Sequence, residues 1–233
     1  MVYGIGGTGK STFGAACPAP VFLDLEDGIG DIDTSAIVNL STLTDVMDAM
    51  NELAVGGHDF KTLVLDSLDV LEAMIWEHVA VESGVGSIED IGYGKGYIHA
   101  VERWREVLAA LERCQAAGMM IVLIGHAQVV TFNDPAHESY SRYSPRLDRR
   151  ALGVIFDWCD ECLFATFRVF TKQQAEKFGK EVHRGVSDGS RVFKCEERPS
   201  HVAKNRLGMP EEIELSWNAY RALAYPQQNE VTK

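Results

Sequence analysis

The sequence predicts an α/β fold: a mostly parallel central sheet with helices on both faces and a C-terminal β extension. Three observations lead there. Short apolar runs of strand length alternate with longer amphipathic stretches, the pattern that builds a parallel sheet covered on both sides. A glycine-rich loop, Gly4-Ile5-Gly6-Gly7-Thr8-Gly9-Lys10-Ser11, follows apolar Val2-Tyr3 and precedes Thr12-Phe13-Gly14-Ala15-Ala16, a strand end followed by a helix start. Polar residues close three of the apolar runs, at the strand ends where open α/β sheets bind ligands.

Taken in order, Pro20 to Asp27 is an apolar run turning acidic at its end, and Ile37 to Leu40 is a second short strand. Ser41 or Thr42 can cap a helix whose Val46, Met47, Met50 and Leu53 share one face, stopped by Gly56-Gly57. Thr62 to Leu65 is a further strand ending in Asp66-Ser67, and a helix follows over Asp69 to Ser83. Gly84 to Gly96, with five glycines, is expected to be a mobile loop. Tyr97 to Ala117 carries Ile98, Val101, Trp104, Leu108, Leu111 and Cys114 at helical spacing, and Gly118 stops it. Met119 to Ile124 is the most apolar strand. Thr131 to Arg150 is polar and expected to be a second long loop. Trp158 to Phe170 and Arg191 to Cys195 are expected strands around a charged excursion, Lys172 to Gly189, and Glu212 to Leu215 is a last strand. The domain division is one unit over 1–225 and a flexible tail over 226–233.

The glycine loop matches G-x-x-x-x-G-K-[ST]. Its backbone N–H groups can cradle nucleotide phosphates, so Gly4, Ile5, Gly6, Gly7, Thr8, Gly9, Lys10, Ser11 and Thr12 are the candidate binding residues. Lys10 would reach the β- and γ-phosphates, and the Ser11 hydroxyl would ligate Mg²⁺. Asp66 suits the second metal-side carboxylate; the alternative is a cap for the helix after it. Ser67 stands where many ring ATPases carry a water-activating Glu, so the base is expected elsewhere. Glu26 is the candidate, with Asp24 and Asp27 as competitors and a solvated acidic turn as the plain alternative. His126, with Gln128 nearby, can sense a γ-phosphate or be structural. Cys159 and Cys162 form a single pair and suit half-buried strand cysteines.

The bulk properties narrow the class. The 233 residues are 46% hydrophobic and 24% charged, ordinary for a soluble globular protein. No apolar run approaches the roughly 20 residues of a membrane span, and no basic-then-apolar leader opens the chain. Five cysteines give no disulfide framework and fit a reducing cytoplasm. A net charge of −12 argues against a generally basic nucleic-acid-coating protein, though not against a local basic strip. Only Met1, Val2 and Tyr3 precede the loop, so the first strand is expected to be stunted or shortened from a longer reading frame.

These motifs resemble a known group. Phe22-Leu23-Asp24-Leu25-Glu26 resembles the RecA-type strand that ends in the catalytic glutamate, and Leu65-Asp66-Ser67 resembles the Asp-Ser metal-side motif. Ala203-Lys204-Asn205-Arg206 resembles the Lys-x-Arg hairpin that RecA-like proteins insert into a neighbour's nucleotide site. Tyr93 to Tyr97, Ile124 to Gln128 and Trp158-Cys159-Asp160 extend the likeness over almost the whole chain. The pattern is most similar to phage AAA-type, RecA-like P-loop proteins related to Sak-type single-strand-annealing ATPases. That resemblance implies ATP and Mg²⁺ as cofactors, single-stranded DNA as partner, often beside a single-strand-binding protein, and a homo-oligomeric ring or filament sharing nucleotide sites. Lys204 and Arg206 would then act in trans. The expected location is the cytoplasm, that of the host cell if phage-encoded. The DNA-facing loops would be Gly84 to Gly96 and Thr131 to Arg150. The second offers Arg142, Arg146, Arg149 and Arg150 with Tyr140 and Tyr143, suited to phosphate contact and base stacking, or simply to a solvated surface. A regulatory nucleotide switch and a nucleotide kinase are the rival readings.

Overall fold

The computed structural model describes residues 1–136, 138–175 and 181–226. Its strands are β1 (Val2–Gly4), β2 (Pro20–Asp24), β3 (Ser35–Ile37), β4 (Thr62–Asp66), β5 (Met120–Phe132), β6 (Tyr140–Pro145), β7 (Glu161–Ala175), β8 (Glu181–Lys194), β9 (Lys204–Asn205) and β10 (Glu212–Glu214). The helices are α1 (Lys10–Ala15), α2 (Leu43–Val55), α3 (Leu68–Glu82), α4 (Lys95–Ala116), α5 (Arg149–Trp158) and α6 (Trp217–Ala224). The main sheet runs β10-β8-β7-β1-β5-β4-β2-β3. It is parallel from β7 to β3 and antiparallel through β8 and β10, which form the C-terminal β extension. This is a RecA-like α/β P-loop fold. Among the described residues, no helix is long and apolar enough to cross a membrane.

The continuous apolar runs exist because both sheet faces are covered. On β4, Leu63 and Leu65 face the side covered by α2, α3, α4 and α5, while Val64 faces α1 and α6. On β5, Leu123 points to the first side and Val122 and Ile124 to the second. The second core is aromatic: Phe13 of α1 meets Phe193 and Tyr220 edge-on, with ring centroids 4.9 and 5.9 Å apart. Thr42 caps α2 reciprocally with Asp45, as its sequence position suggested.

Several expectations are corrected. The glycine-rich segment 84–96 is not a simple loop: it holds two 3₁₀ turns, Ile88–Asp90 and Gly92–Gly94, pinned by buried Ile88. Ile98 is exposed, and the inner face of α4 is built instead on Ala100, Trp104, Val107, Leu111 and Cys114. Strand β3 lies earlier than the expected 37–40. The polar stretch 131–150 is mostly ordered structure. β5 continues to Phe132 and pairs antiparallel with β6, Val129 opposite Tyr143 and Phe132 opposite Tyr140. Its polarity misled because this hairpin stands off the main sheet, so neither face needs to be apolar. Asp148 caps α5 by accepting from Arg150 N–H at 2.8 Å, which places Arg149 and Arg150 on a helix. Trp158 ends that helix rather than starting a strand. Of the expected Lys172–Gly189 excursion, 172–175 and 181–189 extend strands β7 and β8, whose pairing reaches Ala175 opposite Glu181, and 176–180 lie outside the described residues. Of the expected tail, 227–233 lie outside the described residues.

Candidate active site

Strand order sets the site. β5 lies between β1 and β4, and β2 lies beyond β4, so the carboxyl ends of four parallel strands open onto one edge. Gly4 ends β1 in tight contact with β7: a Cβ there would collide with the Ala165 carbonyl oxygen. The loop from Gly4 turns back over α1. Gly9 takes φ +92, a left-handed conformation that glycine tolerates. The Thr8 hydroxyl closes the loop on Ile5 O at 3.0 Å.

Lys10 is buried, and its ammonium donates to Gly4 O and Ile5 O, both at 3.2 Å. Burial pushes its pKa down, against the opposing pull of Asp66, Glu26 and Asp69. A phosphate arriving in the loop would add an anionic acceptor for this ammonium. Ser11 Oγ donates to Asp66 Oδ2 at 2.5 Å, so two oxygen donors from α1 and β4 meet at one point. Burial raises the Asp66 carboxyl despite the Ser11 hydrogen bond. An oxygen-only pair beside a phosphate loop has the donor chemistry of a Mg²⁺ site.

Glu26 lies just beyond β2. Its Oε1 accepts from the Ser67 hydroxyl, and His126 Nδ1 lies 3.5 Å away. The competitors are placed differently: Asp24 is buried and accepts from Gly28 N–H at 3.2 Å, and Asp27 is exposed with φ +51. His126, within β5, turns to Asp69 of α3, which accepts from the His126 backbone N–H at 3.1 Å and faces Nδ1 at 3.0 Å. Arg146 also donates to Asp69. Burial alone would raise the Asp69 carboxyl; the Arg146 guanidinium and the His126 N–H outweigh it and hold the group low. Glu26, Asp69 and His126 present donor atoms within 4.8 Å of one another, and Arg146 already supplies a cation to that cluster. Gln128 donates to Pro145 O at 3.0 Å and so ties β5 to the end of β6. The resulting cleft, about 320 Å³, is lined by Gly6, Gly7, Gly9, Lys10, Ser11, Thr12, Glu26, Asp66, His126 and Arg191, among others.

The arginines grouped as one DNA-facing loop are dispersed. Arg146 belongs to the cleft network through Asp69. Arg142 lies over the Phe132 ring at 4.1 Å and pairs with Glu197 at 3.0 Å. Arg150 pairs with its own cap, Asp148, at 3.6 Å. Arg149 and Tyr143 are exposed, whereas Tyr140 is half-buried. Lys204 is held within its own chain: Nζ donates to Phe156 O, Asp157 O and Cys159 O at 2.7, 3.2 and 2.6 Å, closing the end of α5. Arg206 is exposed and pairs with Asp160 at 2.9 Å. Since β9 pairs with Glu161 and Cys162 at the start of β7, both cations lie at the opposite sheet end from their own phosphate loop. Cys159 and Cys162 are buried, and burial pushes the Cys162 thiol up to about 12.

Three site residues escaped the sequence: Ser67, Asp69 and Arg191. In the sequence Ser67 stands out as the residue in place of Glu and as part of the Asp-Ser resemblance, and neither points to its hydrogen bond with Glu26. Asp69 looked like a helix-start acid and carried no further signal. Arg191 is distant in sequence and reaches the cleft only through the β7–β8 hairpin.

Residues 1–207 match the family model described as an AAA domain. No curated protein is significantly similar to the chain. With the phosphate loop, the Ser11–Asp66 pair and the mostly parallel sheet in place, the chain belongs to the AAA domain family and has an AAA-type P-loop NTPase fold.

Proposed function

We propose that the chain is a Mg²⁺-dependent ATPase that binds single-stranded DNA and promotes annealing in phage recombination, with nucleotide sites shared between identical subunits. The observation that carries the ATPase part is the convergence of Lys10, Ser11, Asp66 and Glu26 on one cleft. Lys10 would exchange two loop carbonyls for phosphate oxygens, gaining charge-assisted hydrogen bonds. Ser11 and Asp66 would hold Mg²⁺, which when bound would supply positive charge to offset that of the phosphates. Glu26, which accepts from the Ser67 hydroxyl, would align a water and accept its proton. His126 joins this carboxylate to Asp69 and Arg146, and Arg146 N–H donates to His126 O at 2.8 Å. A change at the phosphate end would therefore be felt at the β5–β6 hairpin.

The DNA part is supported by the resemblance, by exposed Arg149 and Tyr143, and by that hairpin link. The shared-site part is supported by exposed Arg206. Turnover of ATP should rise on adding single-stranded DNA and vanish in Lys10→Ala. Replacing Arg149 and Arg150 by Ala should weaken DNA binding and lower its salt dependence, because each lost phosphate contact releases fewer counterions. Turnover that DNA neither stimulates nor accompanies with binding would overturn the DNA reading in favour of a nucleotide-controlled switch. Mixed Lys10→Ala and Arg206→Ala proteins should recover part of the turnover that each lacks. No recovery in assemblies that demonstrably mix would refute the shared site.

A further inference from the structure

Two cavities meet on the phosphate loop, and one cation borders both. Beside the cleft lies a second pocket of about 320 Å³, walled by Phe13 of α1, by Ala16 just after that helix, and by Leu215, Trp217 and Asn218. Gly9, Thr12 and Arg191 line both cavities. Arg191 stands on β8, and its carbonyl accepts from Leu215 N–H at 3.0 Å, so one strand positions both the cation and the pocket wall. The guanidinium rests against the loop: a Cβ at Gly9 would lie 2.9 Å from Nη1. Among the described residues, this side chain has no ion pair or side-chain hydrogen bond, whereas Arg146 and Arg168 are matched by Asp69 and Glu212. An unmatched guanidinium on a phosphate loop presents a planar fork of donors suited to phosphate oxygens.

We propose that Arg191 contacts the phosphates nearest the nucleoside, and that the pocket between α1 and 215–218 holds the ribose and base of a nucleoside di- or triphosphate. This rests on the reading that Gly4 to Ser11 holds phosphates. The ligand crosses from one cavity to the other over Thr12. Leu215, Ala16 and Trp217 supply an apolar wall for a flat ring, and the exposed Asn218 amide offers both a donor and an acceptor to a base edge.

The test compares binding of ATP and of inorganic tripolyphosphate, both with Mg²⁺, to the wild type, Lys10→Ala, Arg191→Ala and Ala16→Phe, each checked by thermal melting. Arg191→Ala should weaken ATP binding about 10- to 100-fold, the loss of a charged hydrogen bond. Ala16→Phe fills the second pocket; it should weaken ATP by about tenfold or more and leave tripolyphosphate unchanged. If Ala16→Phe does not fold, Asn218→Trp on the exposed rim serves the same purpose. Wild-type ATP affinity in Arg191→Ala and in the pocket-filling variant, with ATP binding lost in Lys10→Ala, would overturn this inference and leave the phosphate loop standing. A wild type that does not bind ATP, or a Lys10→Ala protein that binds it normally, would overturn the phosphate-loop reading and this inference with it.

Discussion

Asp69→Ala is the most informative single perturbation, because three groups depend on that carboxylate. The His126 backbone N–H, part-buried, loses its acceptor, and leaving such a donor unpaired costs about 1–3 kcal/mol. The His126 imidazole loses a partner at 3.0 Å, adding about 1 kcal/mol. Arg146 is 55% exposed, so water replaces most of what it loses and its share is small. The sum is roughly 2–4 kcal/mol, which for a chain of this size lowers Tm by about 4–15 °C. Asp69→Asn keeps an oxygen for the N–H and should lose only about 1 kcal/mol. Calorimetry at neutral pH measures both. Turnover should fall about tenfold or more in the alanine variant, since neither His126 nor Arg146 is then positioned beside Glu26. A Tm within about 2 °C of wild type, together with unchanged turnover, would refute the claim that Asp69 organises the site.

The remaining predictions concern single residues. Glu26→Gln still accepts from Ser67 but cannot take a proton, so ATP should bind while turnover falls about 10²-fold or more; undiminished turnover would move the role to Asp24 or Asp27. Lys204→Met should lower Tm by about 4–8 °C, because three carbonyls at the end of α5 lose their donor, whereas Arg206→Ala breaks only an exposed pair and should leave Tm unchanged. Equal Tm values in scanning calorimetry would show that Lys204 does not hold α5. Burial raises the Glu72 carboxyl to about 7, against hydrogen bonds from Asp148 N–H. Its folded state thus holds the proton more tightly than the unfolded chain. That stabilisation is complete below about pH 4.5 and is lost as pH rises through about 7, a span of about 3 kcal/mol. Glu72→Gln should flatten the fall of Tm across this window; an unchanged pH profile would assign the fall to other groups.

What the sequence determined by itself were the features encoded locally. The spacing of Gly4, Gly9, Lys10 and Ser11 identifies a phosphate loop because each residue type meets a steric or charge demand within a few positions. The runs around β2, β4 and β5 were legible because burial on both faces leaves no room for polar alternation. The Thr42 cap was legible for the same local reason. Polarity failed as a guide at the β5–β6 hairpin, where strand pairing is satisfied off the main sheet and the side chains remain partly wet. The signal for α5 was present in Asp148 and in Ala151 and Ile155 at helical spacing, but four arginines in the stretch suggested a loop instead. Only the tertiary structure decided which charges meet. Arg146 reaches Asp69 because β6 folds back on β5, and Arg191 reaches Gly9 because β8 returns beside β7. Lys204 is spent on α5 because β9 pairs with the start of β7. Charge partners are set by distances across the fold, and no residue carries in its own neighbourhood the identity of a partner 77 positions away, as Arg146 and Asp69 are.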